Sequence, residues 1–259
     1  MRDDGRPPLE SVDRALQLIE ALRDGRTLTV KAAAEMLGVA PSTAHRLLNA
    51  LRYREFARQV DDRGYRAGPA LSGEDEAFTP EELTVAARPA LELLHDRTDE
   101  SSQLMIRRGT DIQFLDGVES TRPLRVAVRI GDRIPAHCSA GGKALLARLD
   151  GPAFDQLYAQ GLPLWPTASI TTTGDLRRHL QGVRRCGYGV NQDETEDAVS
   201  GIGVVVTDPS GQPVAALTLA VPSARFDRRQ VTGYLDALGE AAALTGSRLG
   251  AAPAARPVR

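Results

Sequence analysis

Apolar residues recur at helical spacing through the first quarter of the chain. Ala15, Leu18, Ile19 and Leu22 mark one helix, with Ser11 placed to cap it and Asp24-Gly25 to end it. Thr29 is placed to cap a second helix carrying Ala33, Ala34 and Leu37, which Gly38 ends by supplying a left-handed residue. Pro41 suits the first turn of a third helix, where its missing N–H has no partner to lose. In that helix Ala44, Leu47, Leu48 and Leu51 follow the i, i+3, i+4, i+7 repeat of an inward face. Its outward face holds Ser42, Thr43, His45, Arg46 and Asn49. Two helices joined by a tight turn, with short hydroxyls and then longer donors along the outer face of the second, is how a major-groove reader is equipped. A helical hairpin with a solvated polar face has the same spacing.

Two short β-prone runs follow, 56–60 and 65–67, separated by Asp61-Asp62-Arg63-Gly64; they predict a hairpin wing carrying Arg58, Arg63 and Arg66. Arginines on such a wing can lie along a phosphate backbone or enter a narrow minor groove. The polar, Gly/Pro-punctuated stretch 71–80 reads as a linker. Beyond it, Leu83, Ala86, Ala87, Ala90, Leu91 and Leu94 predict a helix over 81–97. The period then changes to alternation, in Leu104 and Ile106, in Ile112 and Phe114, and in Leu124, Val126, Val128 and Ile130. A further pair of strands is predicted at 202–207 and 214–221, and helices at 140–148, 152–159, 175–186 and 227–249. This is an α+β plan, an antiparallel sheet with helices packed mainly on one side. The expected domains are 8–70, a linker at 71–81, a second domain at 82–248 and a disordered tail at 249–259.

Composition changes the picture little: 42% hydrophobic and 25% charged residues describe a globular protein. No apolar run is long enough to span a membrane and MRDDGRPPLE lacks the apolar segment of a secretion signal, so a cytoplasmic protein without membrane contact is expected. Cys138 and Cys186 have no metal-ligand spacing, and neither a metal, a disulfide nor a cofactor is expected. The net charge of −2 is unevenly shared: residues 1–73 hold 12 Lys+Arg against 10 Asp+Glu, and the rest 20 against 24. The positive excess concentrates between residues 46 and 66, a local stripe suited to reversible contact with a polyanion.

The order of these elements, together with the wording of SVDRALQLIEAL, STAHRLLNAL, ESSQLMIRRG, IPAHCSAGGKALLA, GYGVNQDETEDAVSGIGVVVTDPSG and PVAALTLAVP, resembles the IclR family of transcription regulators over roughly residues 11–247. The resemblance implies an N-terminal winged helix-turn-helix and a C-terminal GAF-like domain that binds a small effector. The acidic stretch Glu74-Asp75-Glu76 departs from the helical connector usual in the family.

One local arrangement invites a ligand independently of the resemblance. In Ile134-Pro135-Ala136-His137-Cys138-Ser139-Ala140-Gly141-Gly142-Lys143 a strand end leads through small residues into a helix start, whose free N–H groups and dipole favour an anion. A close helix–sheet contact demands small residues in the same way. The resemblance favours a ligand here and, carried across, gives an effector set of Ser139, Ala140, Gly141, Asn191, Gly201, Thr218 and Ala220. The family's aspartate pair reads Asn191-Gln192 here, its frequent cysteine falls on Gly201, and its two pocket serines on Thr218 and Ala220. With fewer polar groups and more room, an aliphatic or aromatic acid is expected rather than a glyoxylate-sized one, its acid group at the 140–142 amides.

No catalytic constellation is assembled, so no enzyme is expected. His95, His137 and His179 lie apart, and Cys138 and His137, adjacent on an extended chain, would face opposite ways. One recognition helix buries too little to specify a site. A homodimer or dimer of dimers on an inverted-repeat operator in double-stranded DNA is therefore expected. The rival from another class is a small-molecule-binding module or enzyme whose N-terminal bundle mediates protein contacts.

Overall fold

The computed structural model describes residues 9–24, 26–60, 64–68, 70–71 and 77–251. Arg63 and the tip of the wing, residues 72–76 of the linker and the two tails at 1–8 and 252–259 lie outside the described residues. The chain divides into two compact units, Met1–Ala77 and Phe78–Arg259.

The first unit is three helices and a small sheet. Helix α1 (Glu10–Arg23) leads through strand β1 (Leu28–Thr29) to α2 (Val30–Leu37) and α3 (Pro41–Tyr53), followed by the hairpin β2 (Ala57–Val60) and β3 (Gly64–Ala67). The sheet order is β1-β3-β2, all antiparallel. Thr29 caps α2, its Oγ1 accepting from Ala32 N at 3.1 Å, and Gly38 ends it at φ +61°. Ser11 does not cap α1: the helix starts one residue earlier at Glu10, with Leu9 in the capping position and no side-chain cap. The apolar stripes of all three helices converge, so that Leu18, Leu22, Ala33, Ala44 and Leu48 share one core with Leu28 and Tyr65 from the sheet. Each buried leucine contributes roughly 1.5–3 kcal/mol relative to an exposed one.

The second unit is built on a six-stranded antiparallel sheet of order β6-β5-β4-β9-β8-β7. Its strands are β4 (Ser101–Arg108), β5 (Asp111–Val118), β6 (Arg133–Pro135), β7 (Gly189–Gln192), β8 (Val199–Thr207) and β9 (Pro213–Pro222). Helices α4 (Pro80–Thr98), α5 (Ala140–Leu146), α6 (Gly151–Leu157), α7 (Thr173–Cys186) and α8 (Val231–Ala251) cover it. The expectation that they lie mainly on one side is overturned. Leu104, Ile106, Leu217 and Leu219 point into a core with α4 and α8, while their neighbours Met105 and Ala216 point into a second core with α5, α6 and α7. The central strands therefore face protein on both sides, and β4 is buried through its first six residues.

A second expectation also fails. Residues 124–130 alternate as a strand would, yet they form no strand in the sheet. They cross its face instead: Val126 is buried, Leu124 and Ile130 are exposed, and a Cβ on Gly117 of β5 would meet Val128 Cγ1 at 2.8 Å. Side chains rather than a ladder satisfy this segment's backbone. Ser101 Oγ donates to Val126 O, and Arg129 N donates to Gln103 Oε1 at 3.3 Å.

At the ends of the unit, α4 begins inside the expected linker, with a capping box in which Thr79 Oγ1 accepts from Glu82 N and the Glu82 carboxylate accepts from Thr79 N. The last helix runs to Ala251, and Leu249, expected in the tail, is buried in the core. No helix among the described residues is long and apolar enough to cross a membrane.

Candidate functional sites

In the first unit the polar groups are on the outside. Ala44, Leu48 and Leu51 anchor α3 inward, which leaves Ser42, Thr43, His45 and Arg46 exposed and Asn49 half-buried on one outer face. The Asn49 side-chain amide lies 3.2 Å from His45 Nε2, and Tyr65 Oη donates to Asn49 Oδ1 at 3.5 Å, so the C-terminal part of this face is already positioned. Arg46 makes no side-chain hydrogen bond within the described residues and is available to a ligand. On the wing, Arg66 Nε donates to Thr27 Oγ1 at 2.9 Å, which fixes its direction, and Arg58 is exposed on β2. Two members of the same surface escape the hydrophobic repeat: Arg52, which donates to Gln59 Oε1 at 3.1 Å, and the exposed Tyr53.

In the second unit the polar groups are inside. Ser139, Ala140, Asn191, Gly201, Thr218 and Ala220 line a common cavity of about 30 Å3 between α5, β4, β7, β8 and β9, together with Gln103, Arg129 and Thr195. Gly141 does not line it. A Cβ there would meet Met105 Sδ at 2.6 Å and Thr218 Cγ2 at 2.8 Å, and one on Gly203 would meet Gly141 N at 2.9 Å. Gly141 is small so that α5 can lie against the sheet. Of the 140–142 amides expected to receive an anion, that of Gly142 is engaged, donating to Ser139 Oγ at 3.3 Å in a helix of only seven residues. Asn191 is bound up in its own turn: Nδ2 donates to Thr195 Oγ1 at 2.9 Å and Oδ1 accepts from Glu194 N at 2.8 Å.

Sequence patterning missed the pair that holds this region together. Lys143, 1% exposed, points its ammonium to Glu194 and donates to Val190 O at 2.9 Å. Glu194 also accepts from Ser169 Oγ. Burial pushes the Lys143 pKa down, and the Glu194 carboxylate opposes that shift. The only sequence signal was a lysine inside the small-residue run SAGGKALL, where a solvated residue has no room.

His137 and Cys138 sit in a 3-10 turn, not on an extended chain as expected. Both are buried. Neither ring nitrogen of His137 has a hydrogen-bond partner among the described residues, and burial, with the Lys143 charge next, pushes its pKa down. Burial pushes the Cys138 thiol up to about 12, so it is no nucleophile at neutral pH.

A winged helix with a donor-rich outer face, followed by a sheet domain enclosing a polar-lined cavity, defines a DNA-binding regulator with a separate ligand-sensing domain. The comparisons with known proteins agree. Residues 11–61 match the family model for the IclR helix-turn-helix domain, and residues 76–245 that for the bacterial transcriptional regulator IclR C-terminal domain. The chain is 25% identical over 232 residues to the transcriptional repressor IclR of Escherichia coli, covering 87% of this chain and 85% of that one. It is 31% identical over 235 residues to the regulator SauR of Cupriavidus necator, covering 88% and 92%. The Thermotoga maritima IclR structure has a TM-score of 0.60 at 24% identity, covering 93% of this chain and 98% of that one. An IclR homologue of Microbacterium hydrocarbonoxydans, solved in complex with 4-hydroxybenzoate, has a TM-score of 0.60 at 23% identity over 93% and 100%. The chain belongs to the IclR family. It is a DNA-binding transcriptional regulator with a C-terminal effector domain rather than an enzyme.

Proposed function

We propose that the chain regulates transcription as a homodimer or dimer of dimers on an inverted repeat in double-stranded DNA, in response to an organic acid or aromatic metabolite. In this reading α3 enters the major groove. Ser42 and Thr43 meet phosphates, His45, Arg46 and Asn49 meet base edges, and Arg58, Arg63 and Arg66 contribute affinity from the wing. The observation that carries it is the outer face of α3: an exposed Arg46 with no side-chain hydrogen bond among the described residues, beside the positioned His45–Asn49 pair. The organic-acid or aromatic class is supported by the cavity's mixed lining, with Met105, Phe114, Leu219 and Ala220 beside amide and hydroxyl groups. The 4-hydroxybenzoate bound by the Microbacterium homologue belongs to the same class.

At about 30 Å3 the cavity holds only a water or two, whereas ligand sites run to roughly 300–1,000 Å3. Occupancy therefore requires side chains or a covering segment to move, and that movement is what a distal helix can sense. DNA contact is assigned to the N-terminal unit, and effector binding and self-association to the C-terminal unit that begins at Phe78.

A gel shift with the DNA upstream of the protein's own gene tests the reading. Arg46→Ala is expected to weaken binding by about tenfold or more while the melting temperature stays unchanged. Binding that is unaltered at every salt concentration would remove Arg46, and with it this orientation of α3, from the interface.

A further inference from the structure

The wall of the cavity is neutral apart from one side chain. Gln103, Ser139, Asn191, Thr195 and Thr218 bring amides and hydroxyls, and Arg129 alone among the described lining residues is ionised. Most of the neutral groups already have partners: Asn191 with Thr195 and the Glu194 amide, Ser139 with Gly142 N, and the Gln103 carbonyl with Arg129 N. The guanidinium is different. Its one ion partner among the described residues is Glu196, with Nη2 to Oε2 at 2.6 Å, and that carboxylate is 45% exposed. A pair so open to water is weak, and a guanidinium has five N–H groups to offer.

The pair also joins the two irregular segments beside the cavity. Arg129 sits on the segment 121–132 that crosses the sheet, which also contributes Val126 to the lining; Glu196 sits in the turn between β7 and β8, whose Thr195 lines the other side together with Val199 of β8. The crossing segment is fastened at one end, where Arg122 donates to Asp99 at 3.1 Å and to the buried Glu100 at 3.2 Å. Its other end is tied to β5, where Gly131 N donates to Phe114 O at 2.9 Å and Asp132 O accepts from Phe114 N at 3.1 Å, and between the two ends Arg129 holds it through the backbone bond to Gln103 and the ion pair with Glu196.

We propose that Arg129 is the residue that receives the effector's carboxylate, releasing Glu196 as it does so. The exchange trades a water-screened partner for one enclosed in the cavity, where a two-pronged guanidinium–carboxylate pair is stronger. It also unpins the crossing segment from the β7–β8 turn, which supplies the opening the small cavity needs. Charge then selects the ligand: an amide of the same shape has nothing to displace Glu196 with. The proposal rests on the reading of this cavity as the effector site.

Calorimetric titration of the full chain with three acids, benzoate, phenylacetate and hexanoate, and with their amides separates the two. In the native protein at least one acid is expected to bind about tenfold or more tightly than its amide. Arg129→Gln should remove that preference by weakening the acid alone, Arg129→Lys should fall between because it keeps the charge without the fork, and Glu196→Gln should tighten acid binding several-fold. Acid binding that Arg129→Gln leaves intact, or an amide binding as well as its acid, overturns the proposal. Ala220→Phe, which fills the cavity, tells the two levels apart. If Ala220→Phe abolishes binding and Arg129→Gln does not, only the role of Arg129 fails. If acids still bind to Ala220→Phe, the cavity is not the effector site and both fail, as they do if none of the six compounds binds.

Discussion

The two units place their polar chemistry on opposite sides of their own surfaces. In the N-terminal unit Ser42, Thr43, His45 and Arg46 are exposed on α3, and the core beneath is apolar but for the Tyr65 hydroxyl. In the C-terminal unit Ser101, Ser102, Gln103, Lys143, Asn191, Glu194 and Thr218 are buried between helices and sheet. A polar group at the surface needs nothing from its neighbours, whereas a buried one needs a partner in a fixed place. The first unit can thus change its outer face without refolding, and the second ties binding chemistry to stability.

The sharpest break of this contrast is Lys143→Met. It leaves the Glu194 carboxylate buried without its counter-charge and is expected to destabilise the C-terminal unit by about 3–5 kcal/mol. Lys143→Met with Glu194→Gln should recover much of that loss, and denaturant melts of both variants check it. A Lys143→Met protein as stable as the native one would mean the pair is not an internal fastening.

A smaller effect is expected in the other unit. Thr29→Ala removes the hydroxyl that accepts from Ala32 N, and the expected cost of about 1 kcal/mol should fall on the helix-turn-helix alone. Amide exchange, which reads the two units separately, would show faster exchange in α2 and unchanged exchange in β8 and β9.

The smallest effect is a dependence on pH. His137 is held neutral by burial and by the Lys143 charge, so its folded pKa lies below the ordinary value of about 6.5. Below that value the unfolded chain takes up a proton that the folded one resists. His137 therefore costs nothing above pH 6.5, and stability falls as pH drops from there toward the folded pKa. His179, on the exposed face of α7, shifts the same way, by desolvation first, and adds to the slope. His137→Asn should flatten the fall in melting temperature between pH 7 and 5 without abolishing it. An identical slope would show that the imidazole reaches a hydrogen-bond acceptor when it is charged.

The same contrast governs what could be read from the sequence. Helices α1, α2 and α3 were legible because an apolar stripe against a polar face has a period, and Thr29, Gly38 and Pro41 punctuate it with residue-specific chemistry. β4 and β9 were legible as strands but not as strands covered on both faces, because Gln103 and Thr218 break the apolar run while being buried. The segment 124–130 carries the right period for a strand and is none, because its partners are the side chains of Ser101 and Gln103, contributed from another part of the chain. Lys143, Glu194 and Arg129 escaped for a related reason: a charged residue reads as surface until the fold shows what stands beside it. Gly141 drew attention through its smallness, and that smallness serves the contact with Met105 and Thr218.

The seating of α5 has a further consequence. A Cβ on Gly189 would meet Ala140 O at 2.1 Å, and one on Gly142 would meet Ala136 O at 2.2 Å, so the helix has no slack in which to slide or tilt. On the proposal that this cavity receives the effector, what yields to an incoming molecule is the opposite wall, where residues 124–130 form no strand. On that proposal the wall is an exchangeable cassette: rewriting residues 124–130 should retune which molecules bind while the seat of α5 stays as it is.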